Sequence, residues 1–406
     1  MPSVRSVSNR TVRAAALLVA LTMSAVAPPA AAQQSRIEER AKLQAEKAKK
    51  LKPPAKNRGE RAAGIAERYL AGNPQGIYPW FGSVTGGGWL AVGAGYQRKY
   101  ADTGLFDVHG GWSIKNYKLI RSTLKLPELA GRRVAFQLDG SWMDAGQVKF
   151  YGVGNDSRRA EGASYLYRPA RVGATGAFAP VPWIAVGGGV AVEHDETGPG
   201  GAGVSIEDAY TPADAPGLGV SPTYTVRRAF AAIDWRDSPR YSRRGGLYRI
   251  EWSTWAQHDR DALSFERVEV EVVQLVPLWR ENWVIALHGL ASMSSADAGR
   301  EVPYFMMAYL GSSRTLRGYS NRRFRDRNVL LMNAEYRWTP SHFLDMALFF
   351  DAGKVGPRRE DLNFDGLKTS YGFGLRFHSP DMTVLRWDFA WSKEGFHWIF
   401  ASSAAF

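Results

Sequence analysis

The sequence predicts an all-β fold, a 16-stranded transmembrane antiparallel β-barrel, and three observations favour it. The chain of 406 residues is rich in glycine and aromatic residues, with 42 Gly, 14 Trp, 17 Tyr and 19 Phe. This composition suits strands and turns better than helices. Many segments of about ten residues alternate apolar and polar side chains, which is the period of a strand. An apolar N-terminal segment indicates export from the cytoplasm.

Residues 1–32 are predicted to be a secretory signal peptide. Arg5, Arg10 and Arg13 precede the apolar run AAALLVALTMSAVA, and small residues follow as far as Ala32. A retained membrane anchor is the alternative, but the run is shorter than the roughly 20 residues that a helical span needs. We therefore expect secretion and cleavage, and with the barrel prediction this places the mature chain in the bacterial outer membrane.

Residues 33–75 are predicted to form a charged periplasmic helix and linker. Pro53 and Pro54 would end the helix, which has almost no apolar stripe. It is either a solvated tether or a helix that binds a partner or anionic lipid. The segment holds eleven Lys and Arg against five Glu, so nine of the thirteen net positive charges precede residue 76. Nucleic acid is therefore not an expected partner of residues 76–406.

The charged second face of the strands distinguishes a membrane barrel from a soluble sandwich. In FERVEVEVVQLV, Val268 and Val270 share one face. Arg267 and Glu269 share the other. A soluble sandwich would also alternate, with its apolar face against a second sheet. A membrane barrel turns the apolar face to lipid and the charged face to a wet lumen. The signal peptide and the number of such strands favour the barrel.

The alternation predicts sixteen strands across residues 76–406. An even number puts both ends of the barrel on one side of the membrane, with short turns inside and long loops outside. The predicted strands are residues 76–84, 87–98, 104–114, 117–126, 132–150, 164–178, 182–194, 224–236, 246–257, 264–276, 282–293, 328–338, 344–353, 369–378, 382–392 and 396–406, and the predicted long outer connections are 151–163, 195–223, 294–327 and 354–368.

Several short motifs occur in an order that is typical of one family. They are FYGVGNDS at 150–157, DWRDSPRYSRRGGLYRIEW at 234–252, LRGY at 316–319, FFDAGKV at 349–355, YGFGLRF at 371–377 and LRWDFAWS at 385–392. Together they resemble the BamA/TamA (bacterial surface antigen) outer-membrane assembly superfamily over residues 76–406. The resemblance implies insertion, assembly or translocation of outer-membrane proteins, or of lipid. A passive pore and a structural surface-antigen barrel are the alternatives.

Residues 312–328, SSRTLRGYSNRRFRDRN, place six arginines in the longest outer loop. The loop can stay in solvent, as charged loops do, or enter the lumen, where Arg317 would cost several kcal/mol unless it is paired. The resemblance implies a lumen-inserted outer loop. Its Arg317 would act as a lock, which means that it would hold the loop in the lumen by pairing with Asp351. Gly318 is expected to permit the turn. Tyr319 is expected to offer a flat surface beside the guanidinium.

Neighbouring strands supply the inner face for the tip of this loop. Because side chains alternate, Leu348 and Phe350 facing lipid would direct Phe349 and Asp351 inward. Glycines on this face are expected to leave room for the loop tip. The other residues expected to support the lock are Gly353, Gly372, Gly374 and Arg376, with Asp388 and Glu335 as second-choice partners of Arg317.

Pro79 and Phe406 mark the two ends of the predicted barrel. A proline is tolerated where a strand edge is not fully paired, and the first strand would meet the last at a seam. The resemblance implies that these strands part transiently and template an incoming strand. The alternative is that Pro79 belongs to a segment ahead of the barrel. Phe406 is expected to end the last strand.

No catalytic residue, cofactor or metal site is predicted. The seven histidines show no ligand spacing, and the absence of cysteine excludes thiolate ligands. DLNFDG at 361–366 begins like a calcium loop, but its twelfth position is Gly372 rather than Glu. The segment between the signal and the first strand is too short for a polypeptide-transport-associated (POTRA) domain, so a member without these domains is expected. The expected partners are outer-membrane lipid and, by resemblance, unfolded outer-membrane proteins or periplasmic proteins.

Overall fold

Sixteen strands of the chain form one antiparallel sheet in the part that the computed structural model describes. That part comprises residues 75–238, 240–278, 282–341, 343–378, 383–401 and 405–406. The predicted signal peptide and nearly all of the predicted charged linker lie outside the described residues. Each strand pairs with the next along the sheet, and the order skips only two short strands inside one loop.

The elements have the following bounds. The strands of the large sheet are β1 (Gly76–Gly82), β2 (Ala91–Tyr100), β3 (Gly104–Ser113), β4 (Lys118–Lys125), β5 (Val134–Phe150), β6 (Ala163–Val181), β7 (Ile184–Pro199), β8 (Thr223–Asp234), β9 (Gly245–Gln257), β10 (Phe265–Pro277), β11 (Trp283–Ser295), β14 (Asn328–Ser341), β15 (Leu344–Gly356), β16 (Lys368–His378), β17 (Thr383–Ser392) and β18 (Gly395–Ala401). The strands β12 (Ala308–Leu310) and β13 (Phe324–Asp326) pair with each other, and the described helices are Ile206–Ala209, Arg159–Glu161 and Arg359–Asp361. None of these helices has the length and apolar character to cross a membrane.

The prediction of an all-β antiparallel sheet of sixteen strands is confirmed. Short turns join the strands at the end where β1 begins, and we call this the inner end. Long connections join them at the outer end, as predicted; they are residues 151–162, 200–222, 296–327 and 357–367. β6 extends further than predicted at the inner end, to Val181, and β7 extends further at the outer end, to Pro199, because these residues continue the pairing of the two strands.

The two faces of the sheet differ in exposure, as β15 illustrates. Leu348 and Phe350 are 52% and 49% exposed, whereas Phe349 and Asp351 are 5% and 0% exposed. Water-soluble proteins rarely expose large contiguous apolar patches, so the exposed face is a lipid face. The opposite face carries the charged side chains, and we call it the lumen face.

The outer loops pack together on aromatic and aliphatic side chains. Tyr304, from the loop 296–327, lies 5.4 Å from Phe150 and 5.0 Å from Tyr165, measured between ring centroids. Ile206, from the loop 200–222, belongs to the same buried cluster. Burial of these apolar groups favours a packed arrangement of the outer loops over loops that extend into solvent.

The two ends of the sheet differ from the prediction in one respect. Pro79 lies inside β1, opposite Ala94, so it does not belong to a segment ahead of the barrel. The prediction that the last strand reaches Phe406 is wrong, because β18 ends at Ala401. The ring of Phe406 instead stacks on His288 at 5.0 Å and lies 5.0 Å from the Arg337 guanidinium. These contacts place Phe406 on the lumen face rather than in the last strand.

Candidate functional site

The outer loop 296–327 brings Arg317 onto the lumen face of β14 to β17. Arg317 is 1% exposed, although a guanidinium is costly to bury. On either side of it, Leu316 and Tyr319 join a buried apolar cluster with Phe324 and Leu331. The flanking apolar residues therefore hold the loop tip in place, and the charge of Arg317 has to be balanced by its neighbours.

Asp351 of β15 is the main partner of Arg317. The Arg317 Nε and Nη2 atoms donate hydrogen bonds to Asp351 Oδ2 and Oδ1 at 3.0 and 2.6 Å. The backbone N–H of Arg317 donates to Oδ2 as well, at 3.1 Å. A planar guanidinium that meets both carboxylate oxygens forms the strongest kind of side-chain pair. The structure thus brings together the two residues that were predicted as lock and partner.

Two further carboxylates lie around the same guanidinium. Arg317 Nη1 donates to Glu335 Oε1 of β14, and Asp388 Oδ2 of β17 lies 3.6 Å from Nη1. Both residues were predicted as second-choice partners, and both act alongside Asp351. Arg376 Nη2 also donates to Glu335, at 2.7 Å, and therefore shares that carboxylate with Arg317.

An aromatic ring covers the Arg317 guanidinium, but it is not the ring that the sequence suggested. The guanidinium carbon lies 3.6 Å from the centroid of the Phe349 ring, which is a close cation–π contact. Tyr319 instead packs its ring edge against Phe324 at 5.1 Å. The expectation that Tyr319 lies flat beside the guanidinium is wrong, because Tyr319 belongs to the apolar cluster on the other side of the tip.

Gly318 is required by close packing rather than by an unusual turn. Its φ is not positive, so other residues could adopt its backbone conformation. However, a Cβ at this position would lie 2.7 Å from Ser370 Cβ and 2.8 Å from Ser392 Cβ. The carbonyl of Gly318 accepts a hydrogen bond from Ser392 Oγ at 2.6 Å. The loop tip therefore touches β16 and β17 too closely for any side chain to fit.

The three strand glycines leave room for neighbouring side chains, not for the loop tip itself as expected. A Cβ on Gly372 would lie 2.6 Å from the end of the Phe349 ring. A Cβ on Gly374 would overlap the Asp388 carboxylate, and one on Gly353 would lie 2.9 Å from Leu310 of β12. The first two glycines therefore position the ring and the carboxylate that contact Arg317.

Sequence reasoning missed three residues that complete this site. Asn333 Nδ2 donates to Asp351 Oδ1 at 2.7 Å, and Ser370 Oγ donates to Asp351 Oδ2 at 3.0 Å. Asn333 and Ser370 lie directly opposite Asp351 on the two neighbouring strands, so the strand register alone could have identified them. Arg386 Nη2 donates to the carbonyl of Ser313, and this contact depends on the path of the loop.

A second set of polar contacts on the lumen face, apart from those of Arg317, connects β1 to β3. Tyr78 donates a hydrogen bond to Asp107 Oδ2 at 2.6 Å, and His109 Nδ1 lies 2.8 Å from the other oxygen of Asp107. The ring of Trp80 stacks on His109 at 5.3 Å. Two consecutive lumen-facing residues of β1 therefore contact β3 across the intervening strand.

Comparison with known proteins matches this architecture. The model of the Omp85 superfamily domain matches residues 133–398. The crystal structure of BamA from Haemophilus ducreyi lacking POTRA domains 1–3 is similar with a TM-score of 0.59 and 14% identity, covering 80% of this chain and 69% of that chain. CdiB from Acinetobacter baumannii has a TM-score of 0.48 and 10% identity, covering 80% of this chain and 57% of that chain. No curated protein sequence matches this chain.

These matches have different weight. At 14% identity the likeness to BamA shows the fold alone, a 16-stranded antiparallel β-barrel. The superfamily match, however, spans more than half of the chain, from β5 to β18. The resemblance inferred from the short motifs is thereby confirmed. This chain is an outer-membrane β-barrel that belongs to the Omp85 superfamily.

Proposed function

We propose that this chain inserts or assembles other outer-membrane proteins, or translocates proteins or lipid, through a lateral seam between β1 and β18. The observation that carries the proposal is the anchoring of Arg317 by carboxylates of β14, β15 and β17. A loop fixed in this way holds the last strands together as a rigid unit. Movement is then easiest where this unit meets the first strand.

The first and last strands are short. β1 and β18 each have 7 residues, whereas their partners β2 and β17 each have 10. A shorter strand forms fewer ladder hydrogen bonds, and Pro79 has no backbone N–H to donate. Exposed backbone groups of such strands can pair with an incoming strand, which is how strand addition recognises a peptide. This supports the seam as the place where a client would be received.

The lipid face gives β18 more cross-strand contacts than β1. Phe373 stacks on Phe389 at 4.9 Å, and Trp391 lies 5.0 Å from Phe396, so aromatic pairs connect β16, β17 and β18. Such pairs contribute about 0.2–1 kcal/mol each. On β1, the lumen contacts of Tyr78 and Trp80 with β3 have the corresponding role. The contacts of Tyr78 and Trp80 are therefore the ones that have to be released if β1 moves when the seam opens.

Replacing Tyr78 by phenylalanine is expected to loosen β1. The change removes the hydrogen bond to the Asp107 carboxylate, and a bond to a charged group is worth about 1.5–3 kcal/mol. We expect faster amide hydrogen exchange in β1 with little change in β14 to β17. Tyr100→Phe is the matched control, because its hydroxyl donates to the Lys125 carbonyl near the inner end of the barrel. Equal protection of β1 in wild type and Tyr78→Phe would exclude this role for Tyr78.

Deletion of the gene tests the proposed function directly. We expect a lower content of folded outer-membrane proteins and an accumulation of their unfolded forms in the periplasm. Complementation with wild type and with Arg327→Ala should restore the content, because Arg327 is exposed in the same loop. Complementation with Arg317→Ala should fail. An outer-membrane proteome that is unchanged by the deletion would argue strongly against assembly.

A passive pore is the second candidate. Charged lumen-face residues away from the Arg317 site, such as Arg121 of β4 and Arg249 of β9, are exposed and suit a wet channel. If the barrel is a plugged pore, its conductance in a planar bilayer should rise when Arg317 is replaced. An assembly barrel would instead show the proteome change, whether or not it conducts.

A further inference from the structure

Five arginines line a cavity at the inner end of the barrel. The cavity lies between the inner turn 235–244 and the lumen face of β10, β11, β14, β15 and β16. It is separate from the contacts between Arg317 and Asp351. The five arginines, which we call the cavity arginines, are Arg236, Arg240, Arg243, Arg337 and Arg376.

The acidic residue of the cavity is already satisfied by its neighbours. Asp345 is the one carboxylate among the lining residues in the described part of the chain. It accepts hydrogen bonds from Tyr241 at 2.7 Å, Arg243 at 3.2 Å and Thr339 at 2.5 Å. Burial raises the pKa of the Tyr241 hydroxyl above its ordinary value, which keeps it a donor to Asp345. Among the described residues, neither Arg337 nor Arg376 donates a hydrogen bond to Asp345.

Arg337 and Arg376 share a single carboxylate with the outer loop. Arg337 Nε donates to Glu335 Oε2 at 2.6 Å, while Arg376 and Arg317 both donate to Oε1. Arg317 has Asp351 as its own partner. Among the described residues, this buried cluster therefore has one more guanidinium than carboxylates; its members are Arg317, Arg337, Arg376 and Arg386 with Glu335, Asp351 and Asp388.

Several buried N–H donors of these arginines lack acceptors. Arg376 is 3% exposed, and neither its Nε nor its Nη1 has a hydrogen-bond partner. The Nη2 atom of Arg337 also has none. A buried guanidinium with unsatisfied donors is destabilising, and an anion that accepts from it removes this cost. Arg386 of the same cluster also has unsatisfied donors, but it does not line the cavity. Among the lining residues, the unsatisfied guanidinium donors belong to Arg337 and Arg376.

Arg236 is already paired with both oxygens of Asp234, and Arg243 is paired with Asp345. We propose that Arg337 and Arg376 bind a phosphate group in this cavity. A guanidinium offers paired donors in one plane, which suits the oxygens of a phosphate or a carboxylate. Donors from two arginines suit a phosphate better, because it presents more acceptor oxygens than a carboxylate does. The phosphate can belong to inorganic phosphate or to a phospholipid headgroup at the inner surface of the membrane. The proposal does not rest on the seam or on the assembly role.

Phosphate binding is tested on the full chain in a non-ionic detergent. Inorganic phosphate is titrated calorimetrically at constant ionic strength, and retention of phosphatidylglycerol is followed in parallel by native mass spectrometry. We expect binding in at least one arm, weakened about tenfold or more by Arg337→Gln, since a charge-assisted bond is lost. Arg337→Lys should retain part of it. Binding of inorganic phosphate assigns the site to the free anion, and retention of the lipid alone assigns it to the headgroup.

The control variant is Arg249→Gln, which removes a lumen-face arginine that does not line the cavity. It should bind as tightly as wild type. If Arg337→Gln fails to fold, Arg376→Gln is used instead, because Arg376 lines the cavity and has the other unsatisfied donors. The proposal is overturned if wild type binds neither probe. It is equally overturned if the cavity variants and Arg249→Gln bind as tightly as wild type.

Discussion

Replacing Arg317 with alanine is expected to destabilise the barrel by about 3–5 kcal/mol, the usual cost of removing one partner of a buried ion pair. The change leaves Asp351 and Glu335 buried with fewer donors, and it also removes the group that covers the Phe349 ring. The measurement is the temperature at which the barrel loses its folded mobility on a denaturing gel. We expect a clear fall relative to wild type.

Two companion variants separate pairing from general loss of charge. Arg327→Ala removes an exposed arginine of the same loop and should keep the wild-type heat resistance. Asp351→Ala should resemble Arg317→Ala, and the double variant should lose less than the sum of the two, since paired residues are not additive. Wild-type heat resistance in both single variants would show that this pair does not stabilise the barrel.

Replacing Gly318 with valine is expected to displace the loop tip from the lumen. The first added carbon would lie 2.7 Å from Ser370 Cβ, 2.8 Å from Ser392 Cβ and 2.9 Å from the Trp391 carbonyl. Extra carbons in a packed core cost about 1–3 kcal/mol where neighbours can adjust. Here a backbone carbonyl and two strand Cβ atoms surround the site, so the loop itself has to move.

Trypsin reports this displacement, because it cleaves after arginine only where the backbone is accessible. We expect cleavage after Arg317 in Gly318→Val and protection of this buried site in wild type. Gly146→Val is the matched control, since a Cβ on Gly146 would have nothing within 4 Å and its φ is not positive. Continued protection in Gly318→Val would mean that the neighbouring strands accommodate the side chain.

The strands could be predicted from sequence because each one has to present two different faces. In β10, Val268 and Val270 alternate with Arg267 and Glu269. Only one orientation of the strand therefore puts the valines in lipid and the charges in the lumen. The small strands β12 and β13 have three residues each, which is too short for any period to be visible. The departure of Phe406 from the last strand was equally hidden, because it depends on contacts with the distant β11 and β14.

The residues of the Arg317 site that lie on strands could be predicted from the sequence. Alternation directed Glu335, Asp351 and Asp388 to one face, whereas the pairing of Arg317 with Asp351 followed only from the resemblance. Contacts made by the loop were not predictable, because a loop has no period to fix the direction of its side chains. For this reason the ring over the guanidinium was assigned to Tyr319 rather than Phe349, and Gly318 was explained by a turn.

Glu335 makes the two ends of the molecule thermodynamically dependent on each other. The same carboxylate accepts hydrogen bonds from Arg317 of the outer loop, and from Arg337 and Arg376 of the cavity at the inner end. Removal of one of these guanidinium groups strengthens the interaction of Glu335 with the remaining two. A structural change at one end of the barrel therefore changes the free energy of the contacts at the other end. Communication across the membrane would then require no movement of the strands between them.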